Sequence, residues 1–317
     1  MPAFPKPDID YKVLVSKELK NLETYKNTKP GRQIPESKSN NLLIATWNIA
    51  NLGLQKREAT HYKIISKIIS WFDIIALQEI NDNLEGFRAL QKELPKKYKA
   101  VFTDASGNNE RMAYLYNSEK ITQLEKIGEI AVAAEDLENV KLPGIQSVFS
   151  GFSRSPFLAT FRVKKFDLAL VNVHLYFGDD TDKKSIERRT LETYCVARWA
   201  DLRRKSKYAF TQNIIALGDF NLPKVEKGDP IYDALVSRGF ELPEHTSKIY
   251  SNITDDKNYD QIAFLPEMKN MLVNGGVFDF DGALFQALWD KDKPTVLRNY
   301  LRYYISDHRP KWYELAV

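Results

Sequence analysis

Short apolar runs of strand length recur along the chain from residue 42 onward, and each gives way to polar residues. These runs cover residues 42–45, 73–77, 166–173, 214–217 and 259–265. Continuous apolar runs of this length, bounded by turn residues, are typical of strands that are buried on both faces. Alternating segments at residues 112–116 and 161–163 indicate antiparallel pairing as well. The pattern therefore predicts mixed β-structure and not one purely parallel sheet.

Helical periodicity fills intervals between the predicted strands. Residues 61–72 place isoleucines on one face, and residues 185–205 place a second apolar stripe at helical spacing. Strands that alternate with helices favour an α/β fold, and we predict a four-layered sandwich of two packed mixed β-sheets flanked by helices. Residues 1–41 differ, because prolines bracket one short helix-compatible piece at residues 11–25. We interpret residues 1–41 as an N-terminal extension, packed or partly mobile, before a single domain over residues 42–317.

Composition limits the cellular setting and leaves the substrate open. The chain has 317 residues, of which 43% are hydrophobic, and a formal net charge of +4, which does not identify a nucleic-acid binder. The single cysteine, Cys195, excludes an intramolecular disulfide and favours a reducing compartment. Residues 1–20 lack the apolar run of a signal peptide, and no stretch approaches the roughly 18 apolar residues of a membrane helix. These features predict a cytoplasmic protein without membrane association.

Polar side chains stand where the ends of the predicted strands would meet. Four predicted strands end in Asn48, Glu79, His174 and the pair Asp219 and Asn221, Asp260 stands at the start of a fifth, and Asp307 and His308 follow an aromatic stretch near the end of the sequence. Charges buried at the edge of a sheet are costly unless they are paired or bind a metal ion. Strand ends that converge on one face are also where α/β proteins build their sites. The sequence therefore predicts that these residues form one cluster.

The composition of this predicted cluster favours one type of reaction. Glu79 and Asp307 above all offer hard oxygen ligands without cysteine, which suits Mg²⁺, Mn²⁺ or Ca²⁺ better than Zn²⁺. The sequence contains no serine-centred nucleophile elbow and no glycine-rich phosphate loop. Water attack on phosphorus suits these residues, with a metal ion on the phosphoryl oxygen, a carboxylate that holds the water and histidines that transfer protons. The predicted activity is metal-dependent phosphoester hydrolysis.

Six segments, in order, resemble the motifs of the endonuclease/exonuclease/phosphatase superfamily. They are Ala45-Thr46-Trp47-Asn48-Ile49, Ala76-Leu77-Gln78-Glu79, Asn172-Val173-His174-Leu175, Gly218-Asp219-Phe220-Asn221, Tyr259-Asp260-Gln261-Ile262 and Ser306-Asp307-His308. The match spans residues 42–317. Residues 110–116 and 153–157 resemble segments of deoxyribonuclease I in particular. The resemblance implies a deoxyribonuclease I-like fold and an endonuclease whose partner is nucleic acid, with DNA as the expected substrate.

The resemblance also implies a set of metal ligands. Glu79 would bind the ion, expected to be Mg²⁺ with Mn²⁺ or Ca²⁺ as alternatives, and Asn48 and Asp307 would lie close to it. Asp219 and Asn221 would ligate a second ion or stabilise the transition state. One-metal and two-metal mechanisms both stay open on the sequence.

A histidine pair is the other implied part of the site. His174 and His308 would flank the scissile phosphate. Glu110 would support His174, and Asp260 would orient His308 or hold the attacking water. Arg154 would contact a phosphate of the substrate.

Alternative interpretations stay open for several segments. Residues 179–182 could bind Ca²⁺, although a solvated run of charge is favoured. Residues 298–304 interleave arginine and tyrosine, which could stack bases, while tyrosines on the core side of a helix or strand are favoured slightly. Cys195 is predicted to be buried and inert. Two rival functions are hydrolysis of a small phosphorylated compound or lipid headgroup on the same fold, and a non-enzymatic binding module.

Overall fold

Strands dominate the computed structural model of the protein, which describes residues 3–317. Residues 1 and 2 of the predicted extension lie outside the described residues. The strands, in chain order, are β1 (Asn41–Leu52), β2 (Ile74–Asn81), β3 (Tyr98–Phe102), β4 (Glu110–Asn117), β5 (Thr122–Glu129), β6 (Phe157–Val163), β7 (Phe166–His174), β8 (Ile214–Asp219), β9 (Asp260–Phe264), β10 (Leu272–Val277) and β11 (Lys311–Ala316). The α-helices are α1 (Val15–Thr28), α2 (Ala59–Ile69), α3 (Glu85–Glu93), α4 (Lys183–Arg204), α5 (Pro230–Val236) and α6 (Thr295–Tyr304).

These strands form two mixed sheets. One has the order β10-β11-β1-β2-β4-β3, and the other has the order β5-β6-β7-β8-β9. In each sheet the parallel pair, β1–β2 or β7–β8, lies inside the sheet and the other neighbours are antiparallel. Parallel neighbours need a crossover connection, and α2 and α4 lie in those two connections. The predicted pair of packed mixed sheets is confirmed.

Three apolar layers hold the two sheets and their helices together. Ile44 of β1 faces the layer between the sheets, where it lies in one cluster with Leu170 and Leu217. Leu43 faces the opposite way, into the layer beneath α1, α2 and α6. Val196 of α4 belongs to the third layer, on the outer face of the second sheet. The central strands read as continuous apolar runs because both of their faces are buried.

The N-terminal segment packs against the first helical layer. Leu22 of α1 is fully buried in that layer. The Glu18 carboxylate accepts a hydrogen bond from the backbone N–H of Phe285 at 2.9 Å, and the Tyr25 hydroxyl donates to Asp279 at 2.8 Å. The packed alternative therefore describes the segment, whose helix begins at residue 15 and not at residue 11. The division into an extension and a catalytic domain stays a prediction.

The observed bounds of the other elements differ from the predicted ones mainly at the ends of strands. β1 continues to Leu52, well past the apolar run at residues 42–45, and β2 continues to Asn81. Both additions carry residues of the predicted cluster, so the polar positions belong to the strands themselves. Within the described part of the chain, no helix has the length and apolar character needed to cross a bilayer. A cytoplasmic location stays a prediction.

Candidate active site

The carboxyl ends of the two parallel pairs meet at one edge of the sandwich. Asn48 and Glu79 lie where the regular β1–β2 register ends. His174 lies opposite Asp219 in the β7–β8 pair, and Asp219 lies opposite Asp260 in the β8–β9 pair. Register therefore groups two strands of the first sheet and three strands of the second, and the packing of the two sheets brings these groups together.

Irregularities in β1, β2 and β4 direct side chains into this edge. The β1–β2 register shifts between Asn48 and Leu52, and the β2–β4 register shifts between Leu77 and Ile80. Glu79, inside the second irregularity, has a φ of +60°, which non-glycine residues adopt infrequently. Bulges re-aim side chains and are frequent beside active sites. The backbone thus accepts local strain where it presents Glu79 to the cluster.

The amide of Asn48 joins two buried carboxylates. Its Nδ2 donates to Glu79 Oε1 at 2.8 Å and to Asp219 Oδ2 at 3.1 Å. The other Glu79 oxygen, Oε2, accepts from the backbone N–H of Asn51 at 2.9 Å. Glu79 and Asp219 are each 2% exposed. Two carboxylates this close in the interior repel each other, so the arrangement favours a neighbouring positive charge.

His174 lies against an acid and a guanidinium. Its Nδ1 is 3.2 Å from Glu110 Oε2, and its Nε2 is 3.0 Å from Arg154 Nη2. A guanidinium can only donate, so the second contact is a hydrogen bond when Nε2 carries no proton. The ring proton then lies on Nδ1 and faces Glu110. Burial opposes ionisation of Glu110, but His174 and Arg154 outweigh it and lower the pKa of Glu110 to about 2.

His308 has the same kind of support on the other side of the cluster. Its Nδ1 and Asp260 Oδ2 are 2.8 Å apart, and its Nε2 is 3.9 Å from Asp219 Oδ2. Burial opposes the imidazolium, yet the charges of Asp260 and Asp219 raise the pKa of His308 well above its ordinary value. Burial likewise opposes ionisation of Asp219, and the two histidines lower its pKa. His308 and Asp219 therefore form a charged pair.

A glycine lets β8 approach β7 closely enough to place Asp219. Gly218 has a φ of +140°, and a Cβ there would collide with the carbonyl oxygen of Val173. On the other side, the backbone N–H of Asn221 donates to Asp219 Oδ1 at 2.9 Å, and Asn221 Nδ2 donates to the Leu175 carbonyl at 2.8 Å. The Asp219 carboxylate is thus fixed by its neighbours, and Asn221 acts as its support.

Asp307 differs from the other acids of the predicted cluster. Its side chain is half-buried, and its backbone carbonyl accepts from the N–H of Ile253 at 2.9 Å. Among the described residues, neither a hydrogen bond nor an ion pair engages its carboxylate. This carboxylate remains available to a ligand at the mouth of the cluster.

The donor set fits a divalent cation. Glu79 and Asp219 both accept hydrogen bonds from the Asn48 amide, and the Nε2 of His174 lies 3.8 Å from one oxygen of each. Within the described chain, neither carboxylate forms an ion pair with a lysine or an arginine. Oxygen donors without cysteine suit Mg²⁺, Mn²⁺ or Ca²⁺. The residues that would hold the ion are Glu79, Asn48 and Asp307, with Asp219 across the Asn48 bridge.

A second group of ligand-type atoms also lies close together. One atom each of Asp219, Asp260 and His308 lies within 4.8 Å of the others. However, His308 and Asp260 already share a hydrogen bond, so we interpret them as a proton-holding pair and not as ligands. Asp219 alone of the three has an oxygen turned towards the Asn48 bridge.

Several supporting residues were missed by sequence reasoning. Gln78 Nε2 donates to Asn172 Oδ1 at 2.6 Å, which ties the two sheets together behind the cluster. Ser306 Oγ donates to the Asn48 carbonyl at 2.7 Å and accepts from the His308 backbone N–H at 2.9 Å. Gln78, Asn172 and Ser306 lie within the motif segments, and this position could have indicated that they support the cluster. Arg57 lies outside those segments, so its role is not indicated by the sequence.

Arg57 joins the end of β1, which carries Asn48, to the segment that leads to Asp307. Its guanidinium donates to the carbonyl oxygens of Ile49 and Ala50 within β1, at 2.9 and 2.7 Å. It also donates to those of Tyr304 and Ile305 before the last motif, each at 3.1 Å. The side chain is buried, and burial lowers the pKa of Arg57 to about 10. The Arg57 guanidinium therefore holds residues 49–50 and residues 304–305 in fixed positions beside the site.

Comparison with known proteins identifies the fold. No protein-family model and no curated protein matches the chain. A mannosyl-6-phosphatase of Bacteroides thetaiotaomicron VPI-5482 is 18% identical at a TM-score of 0.56, over 87% of this chain and 100% of that chain. An endonuclease/exonuclease/phosphatase family protein of the same species is 18% identical at a TM-score of 0.55, over 87% and 97%. This chain has the endonuclease/exonuclease/phosphatase fold.

A DNA-bound structure with the endonuclease/exonuclease/phosphatase fold is also similar to this chain. TDP2 of D. rerio, complexed with a single-strand DNA product, is 15% identical at a TM-score of 0.56, over 87% of this chain and 99% of that chain. At this level of identity the likeness concerns the fold, and the deoxyribonuclease I-like architecture implied by the motifs is confirmed.

The acidic loop after β7 is a network of pairs. Asp180 pairs with Arg189 and Lys257, each at 2.7 Å. Asp182 caps α4 by accepting from the backbone N–H of Ser185 at 2.8 Å. These acids therefore stabilise the loop and the start of the helix, and do not form a free carboxylate cluster for Ca²⁺.

The arginine–tyrosine segment folds as α6 with its tyrosines inside. Tyr300, Tyr303 and Tyr304 are buried, and their rings pack on one another at centroid distances of 4.5 and 4.8 Å. The core alternative is confirmed, and these rings do not offer a base-stacking surface.

Cys195 is buried on α4, and burial raises its thiol pKa to about 12. Because the thiolate is the reactive form, iodoacetamide at about pH 8 is expected to leave the native protein unlabelled and to label it fully in denaturant. Mass spectrometry of both samples checks this. Native labelling at the rate of a free thiol would show that this part of α4 opens readily.

Proposed function

We propose that the chain is a divalent-metal-dependent phosphodiesterase of the endonuclease/exonuclease/phosphatase superfamily, and that it cleaves DNA as an endonuclease. One geometric observation carries this proposal. The Nε2 atoms of His174 and His308 lie 3.8 and 3.9 Å from the same oxygen of Asp219. Each histidine has its own carboxylate behind it, Glu110 or Asp260. Two oriented imidazoles beside a buried carboxylate can act as general acids and bases during hydrolysis at phosphorus.

His308 is the acid in the proposed mechanism. Its hydrogen bond to Asp260 fixes the ring and stabilises the imidazolium. Its Nε2–H is directed at the cluster, where it can donate to a phosphoryl oxygen or to the departing oxygen. The charge that develops on oxygen during hydrolysis is then met by a preorganised donor.

Asp219 is the base in the same mechanism. It stays ionised, and Asn221 holds one of its oxygens, so the other oxygen can accept a proton from an attacking water. The Nε2 of His174 lies 3.8 Å from that oxygen and accepts from Arg154, so His174 and Arg154 together border the position proposed for the water. When bound, a divalent cation polarises the phosphoryl oxygen and offsets the carboxylate charge.

Arg154 supplies the contact that favours a phosphodiester. Its guanidinium is 3% exposed and is held by Glu110 and His174, with Nη1 3.4 Å from Ser153 Oγ. A guanidinium this constrained binds phosphate oxygens at low entropic cost. The deoxyribonuclease I-like segment around Arg154 and the DNA-bound TDP2 of similar fold support DNA. The mannosyl-6-phosphatase of similar fold makes a sugar phosphate the rival substrate.

Substrate class is tested with closed-circular plasmid, linear duplex, single-stranded DNA, RNA and a panel of sugar phosphates. Each is incubated with Mg²⁺, Mn²⁺ or EDTA. We expect nicking of closed circles with either metal, and a rate that falls steeply with salt. Hydrolysis of sugar phosphates alone, without cleavage of any polymer, would replace the DNA proposal with the small-phosphoester rival. Inactivity on all of them would favour a binding module.

Metal binding should appear in stability as well as in activity. Mg²⁺ is expected to raise the melting temperature of the wild type, since a ligand at 100 times its Kd adds ~2.7 kcal/mol to the free energy of unfolding. Glu79→Gln should remove most of this rise, and EDTA should abolish hydrolysis. Differential scanning calorimetry with and without Mg²⁺ measures the effect, with Glu129→Gln on the exposed end of β5 as control. An equal Mg²⁺ shift in Glu79→Gln would remove Glu79 from the metal site.

A further inference from the structure

A cavity of about 360 Å³ opens where β9, the edge strand of the second sheet, approaches β11, which lies next to the edge strand of the first. Its lining includes Lys311 and Gln261 on the strands, and His245 and Lys248 on the segment before the β9 strand. Gln261 follows the Asp260 of the candidate active site along β9, and neighbouring side chains of a strand point to opposite faces. The cavity is therefore beside the catalytic cluster but does not include it.

Lys311 is a buried cation without a matching anion. It is 4% exposed, and its Nζ donates to Gln261 Oε1 at 2.6 Å. Within the described chain no carboxylate forms an ion pair with it. Burial lowers the pKa of Lys311 to about 8 against the opposing charge of Asp260, which is already paired with His308. An ammonium has three donors, so a single neutral acceptor leaves it poorly compensated. Burying such a charge is costly unless a partner arrives from outside.

His245 adds a neutral donor to the same cavity. Burial lowers the pKa of His245 to about 4, so the ring is uncharged near neutrality. Ser247 Oγ accepts from the backbone N–H of Val277 at 2.8 Å and lies 2.7 Å from His245 Nδ1. When the serine hydroxyl donates its proton to Nδ1, the ring proton lies on Nε2. In that tautomer the neutral ring offers an N–H donor to a ligand.

The cavity is also lined by Lys248, Asn258 and Glu244, and by the apolar residues Val225, Leu242 and Pro243. Lys248 brings a second cation at the exposed rim, and Asn258 brings a side-chain amide. Gln261 Nε2 donates to the Asn258 carbonyl at 2.7 Å, so the amide beneath Lys311 is held in place. Glu244 is the acid among the lining residues, and it is exposed, where water screens its charge.

We propose that this cavity is a second binding site, separate from the catalytic cluster, for a phosphate or another small oxyanion. Lys311 binds the anion at the inner end, His245 donates from the side, and Lys248 closes the rim. Charge-assisted hydrogen bonds of this kind are the strong ones in proteins. The cavity volume exceeds that of one phosphate, so the oxyanion can carry a small substituent such as a nucleoside. The inference does not depend on the reaction proposed for the catalytic cluster.

Phosphate binding by metal-free protein tests the site. Isothermal titration calorimetry at constant ionic strength compares inorganic phosphate with chloride. Lys311→Met keeps the length of the side chain and removes its charge, and we expect phosphate affinity to fall about tenfold or more. Lys99→Met, on the opposite edge of the first sheet, serves as the matched control and should bind like the wild type. Equal phosphate binding by Lys311→Met and wild type would overturn the proposal.

Further variants separate this cavity from the candidate active site. Arg154→Ala should keep phosphate binding at the cavity, and loss of all binding in Arg154→Ala would assign the phosphate to the catalytic cluster instead. If Lys311→Met does not fold, Lys248→Met replaces it, with weaker phosphate binding as the expected result and unchanged binding as the contrary one. Selenate soaked into wild-type crystals should give an anomalous peak beside Lys311, and a peak only at Arg154 would contradict the proposal.

The source of the oxyanion is distinguished by three titrants. Inorganic phosphate, a nucleoside 5′-monophosphate and a short oligonucleotide are compared in wild type and Lys311→Met. Tighter binding of the monophosphate than of phosphate, lost in the variant, supports a terminal phosphate on a small molecule. A Lys311-dependent gain for the oligonucleotide alone supports a phosphodiester of a bound strand. No Lys311 dependence for any of the three contradicts an oxyanion site.

Discussion

His308→Ala is expected to lower kcat for phosphodiester hydrolysis by ~10²–10⁴-fold, the range that general acid–base groups contribute. The imidazolium is held by Asp260 and faces Asp219, so its removal deletes the acid and leaves two buried carboxylates without their cation. Steady-state kinetics on nicked-plasmid formation measures the loss. Added imidazole should restore part of the rate, since the variant leaves a space of the ring's size beside Asp260.

Three related variants decide whether the cluster is assigned correctly. His174→Ala and Glu79→Gln, like His308→Ala, should each abolish activity while the protein stays folded, and retained cleavage by two of these three variants would refute the assignment. Asp260→Asn should act through His308, with a smaller loss and no rescue by imidazole. Thermal melts of every variant separate lost chemistry from lost structure.

Sequence reasoning could locate the cluster because the relevant residues stand at strand ends. Asn48, Glu79, His174 and Asp219 each follow an apolar run, and parallel pairing brings the ends of such runs together. Burial on both faces makes the runs easy to recognise. The convergence predicted from order along the chain is the same convergence that the β1–β2 and β7–β8 registers produce.

The remaining features depend on contacts that no local pattern encodes. The φ of +60° at Glu79 and the register shifts around it arise from how β2 meets two neighbours at once. Asp307 and His308 lie more than 200 positions from Asn48, and the Ser306 and Arg57 hydrogen bonds that align them are made only in the folded chain. Arg57 in particular looks like a surface arginine in the sequence, because polar residues flank it.

The cavity at Lys311 was invisible to sequence reasoning for a related reason. Lys311 begins β11 directly after the last motif and reads as a solvated strand-edge charge. Only the approach of β9 buries it against Gln261. Charged residues are usually exposed, so a prediction from residue type fails where tertiary packing buries a cation, as it does at Lys311.

Arg57→Met is expected to lower the free energy of unfolding by ~3–5 kcal/mol, the cost of breaking a buried charged network. Four carbonyl oxygens around the guanidinium would lose their donor at once. Methionine fills much of the volume but offers no hydrogen bond. Urea unfolding of wild type and variant measures the difference. Arg162→Met, an exposed arginine paired with Asp167, should change stability by no more than ~0.5 kcal/mol.

Arg57→Lys separates positive charge from the geometry of the guanidinium. An ammonium can supply the charge near Glu79 and Asp307, but it cannot reach carbonyls on two loops in the fixed fork that arginine provides. Stability should therefore recover in part, while kcat stays low at temperatures where the variant is folded, because the end of β1 that carries Asn48 and the segment before His308 are no longer tied together. Full recovery of kcat in Arg57→Lys would mean that charge alone matters and that Arg57 does not position the site. A wild-type kcat in folded Arg57→Met would show that Arg57 has no role in positioning the site. The hydrogen bonds of Ser306 and of the Asn48 amide would then be sufficient to hold its geometry.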